Sequence, residues 1–183
     1  DTHVKTKNAT CMAIATTQPI SVSRNENIVK NFPENHEQVM HDIYRYAVIT
    51  DSVEGLVLVD IDTMADGEFR NNKLTRALTW NEGNVLAGAR HVTLAGRIAY
   101  ITTDAGLVVL DLSTPLAPKV TAQLPLTDAR ASAVQFRYLW VTDAEGVKLF
   151  DVTNLAAPVA VPEGTVRLAN ARKIYLARTY MYV

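Results

Sequence analysis

The sequence predicts an all-β chain made of four-stranded antiparallel blades, the unit of a β-propeller, with about three to four blades of a larger, incomplete ring present. Three observations carry this reading. A pattern of strand, tight turn and apolar strand occurs three times, at Tyr46–Asp60, Ile98–Asp111 and Tyr138–Asp151. The flanking residues keep a period near forty: Asp111 and Asp151, Pro118 and Pro158, and Arg90 and Arg130 are each forty apart. A fixed period of that length marks a repeat architecture. Finally, Leu107–Leu110 is an unbroken apolar run, as expected of a strand covered on both faces. Lys119–Leu124 instead alternates Val120, Ala122 and Leu124 with Lys119, Thr121 and Gln123, the pattern of an exposed edge. Sheets stacked face to face around an axis give buried middle strands and an exposed last one. An aligned sandwich would expose one face of most strands.

Taken in order, residues 1–37 form an irregular N-terminal segment, with Thr10–Thr17 and Pro19–Ser23 as candidate short strands. Asn25–Asn35 is rich in Asn and contains Pro33, so it reads as loop. Propeller repeats are assigned to 38–183, divided as 38–88, 89–128, 129–169 and a partial 170–183. Glu34–Asp42 has a weak helical spacing, yet the repeat register assigns Gln38–Ile43 to the first strand of the first repeat. That repeat is long: Asp60 to Arg90 is thirty residues, against nineteen from Asp111 to Arg130. About ten extra polar residues fall in Asp62–Asn72 and predict a surface loop, with Lys73–Trp80 as the displaced fourth strand. The second repeat predicts strands at Arg90–Leu94, Ile98–Thr102, Leu107–Leu112 and Lys119–Leu124. The third predicts Ala131–Gln135, Leu139–Thr142, Val147–Val152 and a poorer strand at Val159–Val161. Tyr180–Val183 falls within the second strand of a fourth repeat. The ring is therefore expected to be completed by more of the same polypeptide or by other protein chains.

The runs Gly55-Leu-Val-Leu-Val-Asp60, Gly106-Leu-Val-Val-Leu-Asp111 and Gly146-Val-Lys-Leu-Phe-Asp151 resemble the LVIVD-repeat family of β-propellers. The Asp-x-Gly lead-in and the loops Ser113-Thr-Pro115 and Thr153–Pro158 fit as well. The resemblance implies a bacterial protein that is secreted, periplasmic or on the outer cell surface. It also implies that some relatives accompany multihaem cytochromes. It brings no catalytic residues.

Composition excludes some functions. The formal net charge is −1, so there is no bulk attraction to nucleic acid. No stretch approaches the roughly 18 to 20 apolar residues of a membrane span. Cys11 is the single cysteine, so no internal disulfide forms. The absence of Cys-x-x-Cys-His rules out covalent c-type haem on this chain, and no cofactor is expected here beyond a candidate calcium.

Candidate sites follow from the repeat. Arg90, Arg130 and Arg172 share one repeat position and would ring a channel mouth. Converging guanidiniums suit carboxylate or phosphate, which makes these three an anion-binding candidate. Residues that recur with a repeat are commonly architectural, and pairing with aspartates of the blades is the competing expectation. Asp60, Asp62 and Asp66 place oxygens at roughly alternate positions and form a partial calcium loop, although Met64 interrupts it. His36 and His41 lack zinc-protease spacing, and His91 could face the channel. Tyr100, Trp140 and Tyr182 recur with the period and read as packing between blades. No nucleophile-base pair or phosphate loop is present. The leading function is a non-catalytic interaction or scaffold module. One alternative is an accessory module of an extracellular multihaem-cytochrome assembly. A second is an enzyme or small-ligand binder at the channel mouth.

Overall fold

A computed structural model describes residues 3–15, 30–31, 41–64 and 68–183. The described strands form successive antiparallel sheets, each a simple meander. In the first, β1 (Ala9–Ile14), β2 (Tyr46–Asp51), β3 (Gly55–Asp60) and β4 (Thr75–Trp80) lie in chain order. The second repeats this with β5 (His91–Ala95), β6 (Ile98–Thr103), β7 (Gly106–Asp111) and β8 (Lys119–Pro125). The third contains β9 (Ala131–Gln135), β10 (Tyr138–Thr142) and β11 (Gly146–Asp151), with β12 (Val159–Ala160) and β13 (Val166–Arg167) both paired to β11. A hairpin of β14 (Tyr175–Ala177) and β15 (Tyr180–Tyr182) opens a fourth unit. The first strands β1, β5, β9 and β14 stand side by side in that order. This is the arrangement of propeller blades about an axis, here as part of a ring.

The strand pattern follows the sequence. Leu107, Val109 and Leu110 are fully buried, and so are Leu56, Val57 and Leu58, because β7 lies between two sheets and β3 lies between the second sheet and a cover that includes Val4 and Leu74. Strands β4 and β8 alternate between exposed and half-buried positions, as edge strands do. Two interfaces between sheets hold most of the core. Val48, Leu56, Leu58, Ile101 and Leu110 pack between the first and second sheets. Tyr100, Leu107, Val109, Leu139 and Phe150 pack between the second and third. Each fully buried side chain of this size contributes roughly 1.5–3 kcal/mol, so stacking of sheets, more than any single sheet, stabilises the array. The far face of the first sheet has its own cluster: Ala47, Val57, Val59 and Ile61, packed against Val4 and Leu74.

Two local expectations need correction. The first strand of the first sheet comes from Ala9–Ile14, far upstream in sequence, and not from Gln38–Ile43. Asp42–Arg45 is a 3-10 turn, while 38–40 lie outside the described residues. The fourth strand of the third sheet is not one strand at Val159–Val161. It is split into β12 and β13 by a 3-10 turn at Pro162–Gly164, since proline lacks the N–H the ladder requires. Thr63 Oγ1 donates to the Lys73 carbonyl at 2.7 Å and so ties together the two ends of the extra loop in the first repeat. The candidate strand Pro19–Ser23 and residues His36, Glu37 and Asp66 lie outside the described residues.

Candidate functional site

The two ends of the blades carry different polar arrays. At the end where β6 turns into β7, arginines cross between blades. Arg90, just before β5, bonds through Nη1 to Asp128 and to the Ala129 carbonyl, and through Nη2 to Asp104. Asp128 and Ala129 precede the next blade. Arg130 repeats the reach one blade on: its Nη1 donates to Asn170 Oδ1 at 2.9 Å and to the Ala171 carbonyl at 2.7 Å. Its Nε also donates to Asp128 at 2.8 Å. In the first blade Thr10 stands in the equivalent place, and its hydroxyl donates to the Ala89 carbonyl at 2.9 Å. Thr102 and Thr142 add a parallel set, with their hydroxyls donating to the backbone carbonyls of Arg130 and Arg172. Hydrogen bonds from Arg130 and Arg90 hold the Asp128 carboxyl below its ordinary value.

Arg172 does not join this array in the same way. Its side chain is exposed, and its carbonyl is the part that meets the preceding blade. Arg90 and Arg130 are therefore brought together over Asp128, while Arg172 stands apart from them.

The turn carboxylates at this end also have fixed partners. Asp51 accepts from the amides of Val53 and Glu54, and Asp143 from those of Glu145 and Gly146. Thr103 fills that role in the second blade, where its Oγ1 accepts from the Ala105 amide. This leaves the neighbouring Asp104 available to Arg90.

At the opposite end the arginines stay within their own blades. Arg45 Nη2 lies 3.2 Å from Asp60 and 3.8 Å from Asp62, and its guanidinium sits 6.0 Å from the Tyr46 ring. Arg137 lies 3.6 Å from Asp151 and 5.1 Å from the Tyr138 ring. Arg97 occupies the same repeat position, since its carbonyl accepts from Leu112 as those of Arg45 and Arg137 do from Ile61 and Val152. This second arginine series was not singled out from the sequence. The available signal was the forty-residue interval from Arg97 to Arg137, with Arg45 ahead of the same tyrosine-bearing strand.

The candidate calcium ligands Asp60 and Asp62 come together, but over the Arg45 guanidinium, and Asp60 Oδ1 also accepts from the Asp62 amide. Asp66 is outside the described residues. Among the described residues no group of three or more His, Cys, Asp or Glu side chains is disposed to hold a metal ion. His91 is half-buried, with desolvation and then Lys173 lowering its pKa, and its Nδ1 lies 3.3 Å from the Ser132 amide. His41 packs edge-on against Tyr44. Cys11 is half-buried and free. Of the three periodic aromatics, Tyr100 is fully buried, its hydroxyl donating to the Leu155 carbonyl at 2.8 Å. Trp140 is half-buried and Tyr182 exposed.

Fold and polar arrays together define a repeat module of the propeller type. The LVIVD repeat family model matches residues 88–123, the span from just before β5 into β8, so the second blade carries an LVIVD repeat. No curated protein matches the chain. Among the described residues no helix is long and apolar enough to cross a membrane.

Proposed function

We propose that this chain is a non-catalytic interaction or scaffold module, a rigid set of propeller blades that holds protein partners in place. The carrying observation is that Arg90 and Arg130, the periodic charges best placed for ligand binding, are already taken up by Asp128, Asp104, Asn170 and two carbonyls. Guanidiniums engaged in this way serve blade-to-blade contact, which favours rigid surface over a channel-mouth anion site. Partners fall into two groups in this reading: strands that complete the fourth blade beside β15, and chains that dock on the finished surface. The family resemblance supports a place outside the cytoplasm.

The test is thermal stability of the purified chain with phosphate and with citrate, for the native sequence and for Arg130→Gln. Neither anion is expected to stabilise the chain through Arg130, and the variant is expected to melt lower with or without them. Anion-dependent stabilisation that disappears in Arg130→Gln, at an unchanged melting temperature without anion, would establish the channel-mouth site instead.

A further inference from the structure

Three members of the second arginine series can be compared position by position. Arg45 is followed by Tyr46 and faces two carboxylates, Asp60 and Asp62. Arg137 is followed by Tyr138, lies over its ring and donates to its hydroxyl at 3.0 Å, with Asp151 beside it. Arg97 has neither support. The residue after it is Ile98, so there is no ring to stack on. The residue equivalent to Asp62 is Ser113, whose amide and hydroxyl both donate to Asp111 Oδ1. That carboxylate is occupied, and Arg97 acts on it from beyond ion-pair distance.

Arg97 is exposed and borders a cleft of about 490 Å³ between the second and third blades. Its own blade supplies Ile98, Asp111 and Ser113, and the facing loop supplies Thr153, Asn154 and Leu155. The Tyr100–Leu155 hydrogen bond pins that loop to the second blade and fixes the width of the cleft. Among the described residues the Arg97 guanidinium makes no hydrogen bond or ion pair, although Asp111 feels its charge, and a planar guanidinium with its donors uncommitted recognises a carboxylate through two parallel hydrogen bonds. The Ser113 and Thr153 hydroxyls donate to Asp111 and Asp151 and keep their oxygens as acceptors, while Asn154 Oδ1 accepts from the Ala156 amide and leaves its Nδ2 to donate, capacity that suits a ligand rich in hydroxyl groups. Such a volume falls in the range of small-ligand sites.

We propose that this cleft binds a small, hydroxyl-rich carboxylate, a sugar acid in chemical terms, with Arg97 as the anchor for its carboxylate. The site lies at the opposite end of the blades from Arg90 and Arg130 and stands independently of the scaffold reading.

The experiment titrates the full chain with D-glucuronate by calorimetry and by amide chemical shifts, with D-glucose and acetate as comparison ligands. Saturable binding of glucuronate is expected, with shifts confined to residues around Ser113 and Thr153. Affinity is expected to fall about tenfold or more in Arg97→Gln, the scale of one lost charged contact, and less in Arg97→Lys. Arg137→Gln is expected to bind as the native chain does. Arg97→Gln is expected to keep the native melting temperature, because the guanidinium holds no internal ion pair, so lost binding is separable from lost folding. No saturable binding, equal affinity for glucose, or undiminished binding in Arg97→Gln would each overturn the proposal.

Discussion

The two ends of each blade use the same residue type, at nearly the same period, for different purposes. At the β6–β7 end, Arg90 and Arg130 reach out of their own blades to the residues that open the next one. At the opposite end, Arg45 and Arg137 fold back on the aspartate that closes their own third strand. The difference lies in what surrounds each arginine. Arg90 and Arg130 precede the innermost strands, which stand against one another, so the next blade's carbonyls are within reach. Arg45, Arg97 and Arg137 follow the innermost strands, or stand in that place, and their nearest acceptors belong to the same blade. Periodicity alone therefore does not assign a role, and a periodic residue becomes a ligand candidate where its local partners have been replaced.

The largest contrast between the ends is expected in their turns. Gly106 opens β7 at φ +133, and an added Cβ would collide with the Leu124 carbonyl and the Leu126 amide. Gly106→Ala is expected to cost more than about 3 kcal/mol through strain and displaced backbone. Gly96, in the turn at the other end, has φ +58 and open space beyond it. Phe136 holds the equivalent place at φ 55. Gly96→Ala is therefore expected to cost only about 1 kcal/mol, the left-handed penalty itself. Denaturant unfolding of both variants checks this, and equal losses would remove the contrast.

The arginines come next in size. Arg130→Ala breaks bonds to Asp128, Asn170 and the Ala171 carbonyl. With the guanidinium partly exposed, about 1–2 kcal/mol is expected. Arg97→Ala is expected to change stability by less than about 0.5 kcal/mol. Melting curves recorded side by side would reverse the assignment if Arg97 proved the more costly.

A smaller effect is expected with pH. The Asp128 carboxyl is held below its ordinary value of 3.8, first by its hydrogen bond from Arg130. A group lowered in the folded state adds stability that is whole above the unfolded value and disappears as pH falls through the folded one. The melting temperature should therefore drop as pH is lowered beneath about 4, and Asp128→Asn should flatten that part of the profile. An identical acid limb in the variant would show that Asp128 carries none of it.

Much of this was legible in the sequence, for identifiable reasons. Leu107–Leu110 announced its strand because burial on both faces leaves no polar position in the run. The alternation in Lys119–Leu124 announced an edge for the converse reason. Ala9–Ile14 was harder to place in the first sheet because Thr10 and Cys11 stand where later blades have Arg90 and His91. A long intervening segment also separates it from β2. The split at Pro162 left a weak strand signal that did not say where pairing resumes. In the sites, Arg90 and Arg130 could be listed from spacing, but not that Asp128 lies between them, which depends on how adjacent blades stack. Arg97 was invisible as a candidate because what distinguishes it is missing: no tyrosine follows it and no second aspartate faces it.

The contrast between the two ends is tested most directly by a pair of double-mutant cycles on unfolding free energy. One joins Arg90 and Asp128 across a blade boundary, and the other joins Arg137 and Asp151 within one blade. Both pairs are partly exposed, so the cross-blade coupling is expected at about 0.5–1 kcal/mol and the within-blade coupling near zero. A cross-blade coupling of zero, or a larger coupling between Arg137 and Asp151, would contradict the assignment of Arg90 and Arg130 as the residues that join one blade to the next.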